Sequence, residues 1–86
     1  MPVDLIMLDL MLPRGVTGYE VFDAIRREPE FGHIPIAAVS AADPSVEMPK
    51  TREKGFAGFI SKPISLRFFP NQVTELLKGG NVWYAR

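Results

Sequence analysis

The sequence predicts a single α/β domain in which a parallel sheet of three strands lies between layers of helices. Three short apolar runs alternate with two segments whose apolar residues recur at helical spacing and with a less clear segment, residues 41–55, that should also hold a helix. This alternation is typical of βαβ units with parallel strands. Each run is apolar almost throughout, as expected for a strand that is covered on both faces. We therefore expect the order strand–helix–strand–helix–strand–helix, with right-handed crossovers.

The composition of the 86 residues suits one small folded domain. Hydrophobic residues make up 47% of the chain, which is too many for a disordered protein. Ten Lys plus Arg balance ten Asp plus Glu, so we expect no direct binding to nucleic acid. The absence of cysteine excludes disulfides and thiol chemistry, and the single histidine excludes a multi-histidine metal site. No signal peptide or membrane span is visible, so we expect a cytoplasmic protein.

The first strand is predicted at residues 3–12. Asp9 is the one acid inside its apolar end, Leu-Ile-Met-Leu-Asp-Leu-Met-Leu. Burying a carboxylate is costly unless it is paired or bound, so we expect Asp9 where the strand opens to solvent or binds something. A loop follows, and a helix then runs from residue 17 or 18 to residue 27, with an apolar face formed by Val21, Phe22 and Ile25.

A second strand and an irregular helix are predicted between residues 34 and 55. Residues 34–40 have the sequence Ile-Pro-Ile-Ala-Ala-Val-Ser, an apolar strand with a proline near its start, where a missing N–H is tolerated. The helix that follows should be short and firmest over residues 49–54, because Pro49 would kink or delay a longer one.

The third unit is a strand at residues 56–61 and a helix at residues 65–78. The apolar face of this helix would comprise Phe69, Val73, Leu76 and Leu77. Two glycines then end the helix, which leaves residues 79–86 as a short aromatic tail. Trp83 and Tyr84 in this tail either pack on the last helix or the core, which we favour, or anchor an interface, where both residue types are enriched.

Polar side chains close the three predicted strands. Asp9, Ser40 and Lys62 lie at successive strand ends, and adjacent strands in a sheet are about 4.8 Å apart. Because the carboxyl ends of parallel strands meet at one edge, an acid, a hydroxyl and an amine should converge there. This edge is where α/β proteins bind their ligands.

These residues and their surroundings resemble the receiver domain of two-component response regulators, which has a flavodoxin-like fold. The resemblance rests on Leu8-Asp9, Met11, Leu12 and Pro13, on Gly18, on Val39-Ser40-Ala41, and on Gly55-Phe56-Ala57-Gly58-Phe59-Ile60-Ser61-Lys62-Pro63. It covers residues 1–78 and implies a partial receiver, the last three of five βα units without the first two. It also implies that the Lys62–Pro63 peptide bond is cis, an isomer essentially confined to proline.

The resemblance implies roles for five residues. Asp9 would be the phosphoacceptor, Ser40 would hydrogen-bond the phosphoryl group, and Lys62 would contact one of its oxygens. The backbone carbonyl of Met11, together with Asp9, would bind Mg²⁺, and Phe59 would be an aromatic switch that acts with Ser40. The family's pair of Mg²⁺-binding acids follows the missing first strand, so the resemblance implies that Mg²⁺ binding is weakened or absent. No other cofactor is expected.

The predicted function is signal transduction by phosphorelay, in which a histidine kinase or phosphotransfer protein is the partner. We do not expect this protein itself to be an enzyme. The alternative is a degenerate receiver that is not phosphorylated and acts as an interaction module. Its support is the missing pair of acids, which the resemblance implies, and the strand between Leu5 and Leu12, which would form an exposed apolar edge and favour a homodimer. A nucleotide- or flavin-binding domain is disfavoured, because no glycine-rich loop follows any strand.

Overall fold

The computed structural model describes residues 3–11 and 13–84 and confirms the α/β class. Its strands form one parallel sheet in the order β1-β2-β3-β4. These strands are β1 (Ile6–Asp9), β2 (Ile36–Ser40), β3 (Gly58–Ser61) and β4 (Val82–Tyr84). The helices are α1 (Gly18–Arg27), α2 (Pro44–Lys54) and α3 (Phe69–Leu77), and a 3₁₀ turn lies at Pro13–Gly15.

Helices α1 and α2 pack on one face of the sheet. Phe22 of α1 stacks on Phe56 with the ring centroids 4.4 Å apart, and Met48 of α2 packs against the same cluster. The buried members of this cluster are Leu8, Leu10, Phe22, Ile36, Ala38, Phe56 and Phe59. Their alternation along the strands follows the two-residue period of a pleated sheet.

Helix α3 packs on the opposite face, which completes the three layers. Leu76 is fully buried, and its methyl group would lie 3.3 Å from a Cβ built on Gly58. A larger residue at position 58 would also overlap the backbone carbonyl of Val82. Glycine at this position therefore lets α3 and β4 approach β3 closely.

The sheet has four strands rather than the predicted three, because residues 82–84 of the predicted tail form β4. Val82 to Tyr84 pair in parallel with β3, and Trp83 lies against the core cluster. Valine, tryptophan and tyrosine all favour strands. The prediction that Trp83 packs on the core is confirmed by its contact with this cluster. Ala85 and Arg86 lie outside the described residues.

The first strand is shorter than the predicted residues 3–12. It ends at Asp9, after which Leu10 accepts a hydrogen bond from the Gly18 N–H at 2.9 Å. A Cβ on Gly18 would lie 2.6 Å from the Asp9 carbonyl oxygen, so only glycine permits this contact. Leu12, the predicted end of the strand, lies outside the described residues.

Helix α2 is regular and longer than predicted. It begins at Pro44, with Asp43 as the N-cap that accepts the Ser45 N–H at 3.0 Å. Pro49 lies inside the helix without ending it. Pro44 lies in the first turn of the helix, a position that suits proline, and capping by Asp43 stabilises the helix start. The expectation that Pro49 would delay the helix was therefore wrong.

Helix α3 begins four residues later than predicted and buries a different set of residues. The N–H groups of Phe68 and Phe69 both donate to the Ser65 carbonyl, so residues 65–68 form a turn. Leu77 was predicted on the apolar face but is 53% exposed, whereas Gln72 is only 8% exposed. Phe69, Gln72 and Leu76 follow the i, i+3, i+7 spacing of one helix face.

Candidate functional site

Asp9 and Lys62 meet at the carboxyl edge of the sheet. Asp9 ends β1, Lys62 directly follows β3, and the Lys62 Nζ lies 2.6 Å from Asp9 Oδ2. The strand between them, β2, contributes the Ser40 carbonyl, which accepts the Lys62 backbone N–H at 2.8 Å. The predicted convergence of the acid and the amine is thus present in the structure.

The surroundings of Asp9 favour its ionised form. The hydrogen bond from Lys62, and after it the bond from the Met11 N–H to Oδ1 at 2.9 Å, lower the pKa of Asp9 below 3.8. Both donors stabilise the carboxylate more than the acid, whereas partial burial opposes them. Asp9 therefore carries a full negative charge at neutral pH, next to a lysine.

Ser40 lies at the end of β2, but its hydroxyl oxygen is engaged within its own turn. It is fully buried, and its Oγ accepts the Ala42 N–H at 3.0 Å. A serine hydroxyl has one proton to donate besides its acceptor lone pairs. The side chain therefore holds the start of the β2–α2 connection in place and keeps a donor for another group.

Phe59 and Met11, the other two residues with predicted roles, differ in exposure. Phe59 is fully buried in the core cluster, whereas the Met11 side chain is 70% exposed. Met11 is nevertheless fixed through its backbone, because its N–H binds Asp9 and the residue bridges to Thr17. The Lys62–Pro63 peptide bond is cis, as predicted.

The described residues do not by themselves form a magnesium site. Within residues 3–11 and 13–84, no group of three His, Cys, Asp or Glu side chains lies together in a way that could hold a metal ion. Asp9 Oδ2 is also occupied by Lys62. Magnesium needs six oxygen ligands and usually takes one or two carboxylates from the protein, so this donor set is incomplete.

A hydrogen bond between two helices was not predicted from the sequence. The Tyr19 hydroxyl on α1 donates to Glu47 on α2 at 2.7 Å, and burial, followed by this bond, raises the pKa of Tyr19. The two positions are 28 residues apart, so no local pattern identifies the pair. The bond ties α2, which follows Ser40, to α1, which follows Asp9.

Comparison with known proteins identifies the family. Residues 1–74 match the response regulator receiver domain. The chain therefore belongs to this family, whose members are modules of two-component signalling. Among residues 3–11 and 13–84, no helix is long and apolar enough to cross a membrane.

Two curated proteins and one crystal structure illustrate the relationship. The chain is 38% identical over 80 residues to Histidine kinase 1 of Arabidopsis thaliana, covering 90% of this chain and 6% of that protein. It is 36% identical over 74 residues to the polar-differentiation response regulator DivK of Brucella ovis, covering 86% and 59%. A LuxR-family two-component response regulator from Aurantimonas sp. SI85-9A1 superposes with a TM-score of 0.77 at 25% identity, covering 92% and 54%. The chain thus spans little more than half the length of DivK.

Proposed function

We propose that this chain is the phosphoacceptor part of a receiver in two-component phosphorelay, with Asp9 as the residue that is phosphorylated. The observation that carries the proposal is the ion pair of 2.6 Å between Asp9 and Lys62 at the carboxyl edge of the sheet. An ionised carboxylate at this edge is both accessible and nucleophilic. Histidine kinases or phosphotransfer proteins are the proposed donors, in keeping with the family.

The proposed reaction is a phosphoryl transfer without an external oxidant or reductant. An oxygen of Asp9 attacks the phosphorus of a phosphohistidine, and an O–P bond forms as the P–N bond breaks. The imidazole keeps the electron pair and takes up a proton. Catalysis of such transfers depends on positioning and charge stabilisation, so the receiver contributes geometry and is in general a signalling module rather than an enzyme.

Lys62 and Ser40 have separate proposed roles in this reaction. Lys62 would leave its ion pair with Asp9 and bind a phosphoryl oxygen of the product, as a point charge does. The Ser40 hydroxyl would donate its proton to a second oxygen. Because Ser40 Oγ also holds the Ala42 N–H, this movement would shift the start of α2. Phe59, buried beneath the same edge, is the proposed switch.

We further propose that phosphorylation of this chain alone is weak. Receiver domains generally bind Mg²⁺, and Asp9 and the Met11 carbonyl are the candidate ligands here, but no group of three His, Cys, Asp or Glu side chains in the described part of the chain could hold the ion. A metal ion would screen the repulsion between the carboxylate and the incoming phosphoryl group. With an incomplete donor set, Lys62 is the main compensating charge.

The proposal is tested by incubating the protein with acetyl phosphate and Mg²⁺ and measuring the intact mass. We expect a slow gain of one phosphoryl group, which is lost in Asp9→Asn. The matched control is Asp4→Asn, an exposed acid before the same strand, which should be phosphorylated as the wild type is. Equal labelling of Asp9→Asn, or none in the wild type after long incubation, would show that Asp9 is not a phosphoacceptor.

A second candidate function is self-association through β1. Among the described residues, β1 pairs only with β2, and Met7 on this strand is 36% exposed. An edge strand with apolar side chains is a template for pairing with another chain. We propose a second copy of this chain as the partner, which would make the domain an interaction module that needs no phosphoryl chemistry.

A further inference from the structure

Strand β4 is a short segment that lies beyond residues 1–74, the part of the chain that matches the receiver family. Each of its three residues, Val82 to Tyr84, is only partly buried. Its connection to α3 runs through Gly79, whose φ of 90° favours glycine. Segments with few buried contacts open locally at a small cost in free energy, so β4 can leave the sheet without unfolding of the core.

The two aromatic side chains of β4 are held from opposite faces of the sheet. On the face that carries α2, the guanidinium of Arg52 lies 4.6 Å from the centroid of the Trp83 ring. Tyr84 is the next residue and points to the other face, where its ring centroid lies 6.0 Å from that of Phe68. Phe68 belongs to the turn between β3 and α3. Helix α2 and this turn therefore each supply one contact that holds β4.

Both contacts are connected along the chain to the candidate functional site. Helix α2 follows Ser40, whose Oγ accepts the Ala42 N–H and fixes the start of the connection. The turn at residues 65–68 follows Lys62, whose Nζ lies 2.6 Å from Asp9 Oδ2. These two interactions and the docked β4 occur together in the structure. Ser40 and Lys62 thus each lead to one of the contacts that hold β4.

Helix α2 can carry a movement from the Ser40 turn to Trp83. The Tyr19 hydroxyl on α1 binds Glu47 at 2.7 Å, and Glu47 lies in the first turn of α2. Arg52 lies further along the same helix, about 7.5 Å from Glu47 at a rise of 1.5 Å per residue. Because a helix moves as a rigid element anchored at Glu47, displacement of its start also moves Arg52 relative to the Trp83 ring.

We propose that β4 is a regulatory strand whose docking on β3 is coupled to phosphorylation of Asp9. The coupling rests on the proposed role of Asp9 as the phosphoacceptor. When Lys62 leaves Asp9 and Ser40 turns to the phosphoryl group, both contacts that hold β4 shift. Strand β4 then leaves the β3 edge. Coupling between two sites is reciprocal, so weaker docking of β4 favours the phosphorylated state.

The test is amide hydrogen exchange of the ¹⁵N-labelled protein, followed by NMR with and without Mg²⁺ and beryllofluoride. The Val82 N–H reports release of β4, because it donates to the Ala57 carbonyl at 3.2 Å. The Ala57 N–H is the reference for unfolding of the sheet, because it donates to the Ile36 carbonyl at 2.8 Å. We expect beryllofluoride to speed the exchange of Val82 relative to Ala57 by about fivefold or more, and to have no effect in Asp9→Asn.

Two variants test the coupling without a phosphoryl analogue. Arg52→Gln removes the contact with Trp83 and should speed Val82 exchange by about two- to fivefold, as expected for an exposed cation–π contact. The matched control is Arg27→Gln, an exposed arginine in the last turn of α1, which should exchange as the wild type does. Ser40→Ala frees the Ala42 N–H and should also speed Val82 exchange relative to Ala57.

Bound beryllofluoride is detected by its own ¹⁹F signal, which keeps two kinds of failure apart. If it binds and the Val82 rate is unchanged or falls, the coupling is overturned and the phosphoacceptor role of Asp9 is unaffected. If it does not bind, Ser40→Ala decides, because an unchanged Val82 rate overturns the coupling and a faster one supports it. The phosphoacceptor role is judged separately, by the mass measurement with acetyl phosphate.

Discussion

The ion pair between Asp9 and Lys62 is only partly shielded from water. The two side chains are 35% and 40% exposed, and pairs this exposed contribute little to the free energy of unfolding. Its main physical effect is on protonation, because the Lys62 hydrogen bond is the largest cause of the lowered pKa of Asp9. The pair therefore acts mainly on the charge of Asp9 rather than on the stability of the fold.

Replacing Lys62 by methionine should raise the pKa of Asp9 toward 3.8 without restoring it fully, since the Met11 N–H still donates to Oδ1. The measurement is an NMR titration of the Asp9 side-chain carboxyl carbon. Lys50→Met is the control, because Lys50 lies beside Glu47 rather than Asp9. An Asp9 pKa that is the same in Lys62→Met and the wild type would contradict the ion pair.

The lowered pKa of Asp9 also determines whether the free energy of unfolding rises or falls with pH. Because folding lowers the pKa of Asp9, its contribution is present above the ordinary value of 3.8 and is lost as the pH falls through the folded-state pKa. Lys62→Met should therefore lose less stability than the wild type on acidification below about pH 4. Urea unfolding at a series of pH values measures this difference.

Sequence reasoning succeeded for residues whose positions follow from strand register. Asp9 and Lys62 close parallel strands, and parallel strands end at one edge, so their convergence was predictable. The hydrogen bond from Ala42 to Ser40 was not, because it depends on the backbone path of a turn. Gln72 was overlooked because only apolar residues were assigned to the buried face, although helical spacing places it beside Leu76.

At the scale of elements, Pro49 shows how context overrides a local rule. It is the sixth residue of α2, where proline removes the N–H that would bind the Ser45 carbonyl. Both residues are exposed, so water can solvate that carbonyl. A capped start at Asp43 and a left-handed end at Gly55 define the helix on either side, and the one missing hydrogen bond is tolerated.

Pro49→Ala should raise the free energy of unfolding by about 1–3 kcal/mol, because alanine restores a helical hydrogen bond. Alanine also gives the unfolded chain more conformational freedom, which lowers stability, but this effect is the smaller of the two. Pro44→Ala is the matched control. It lies in the first turn, where no N–H partner is lost, so it should lower stability by about 0.4–1 kcal/mol. Urea denaturation measures both, and a destabilised Pro49→Ala would mean that α2 is strained by something other than its proline.

Strand β4 was not predicted because a three-residue strand gains its stability from its neighbour. The Val-Trp-Tyr sequence favours a strand, but a segment this short cannot be distinguished from a tail until a partner edge is known. That edge is β3, where Gly58 and Phe59 pair with Val82 and Trp83. The boundaries of β1 and α3 were also misplaced, since turns at Leu10 and Ser65 set them.

At the scale of the whole molecule, the two edges of the sheet are unequal. The β4 edge is short, and Arg52 of α2 lies over Trp83 there. The β1 edge has no neighbour among the described residues, and its Ile6 and Met7 are only partly covered. The same edge ends at Asp9, so pairing through β1 would bring two Asp9–Lys62 ion pairs into one assembly.

If β1 mediates self-association, the wild type should form a concentration-dependent dimer, and Met7→Lys should remain a monomer, because lysine on an edge strand opposes pairing. The control is Val46→Lys on α2, an apolar residue that is 48% exposed and far from β1 in the sequence, which should still dimerise. Light scattering with and without Mg²⁺ and beryllofluoride measures the size. A dimer indifferent to both additions would favour the interaction module. A monomer that changes size only when both are present would contradict that role and show that Asp9 still responds to a phosphoryl analogue.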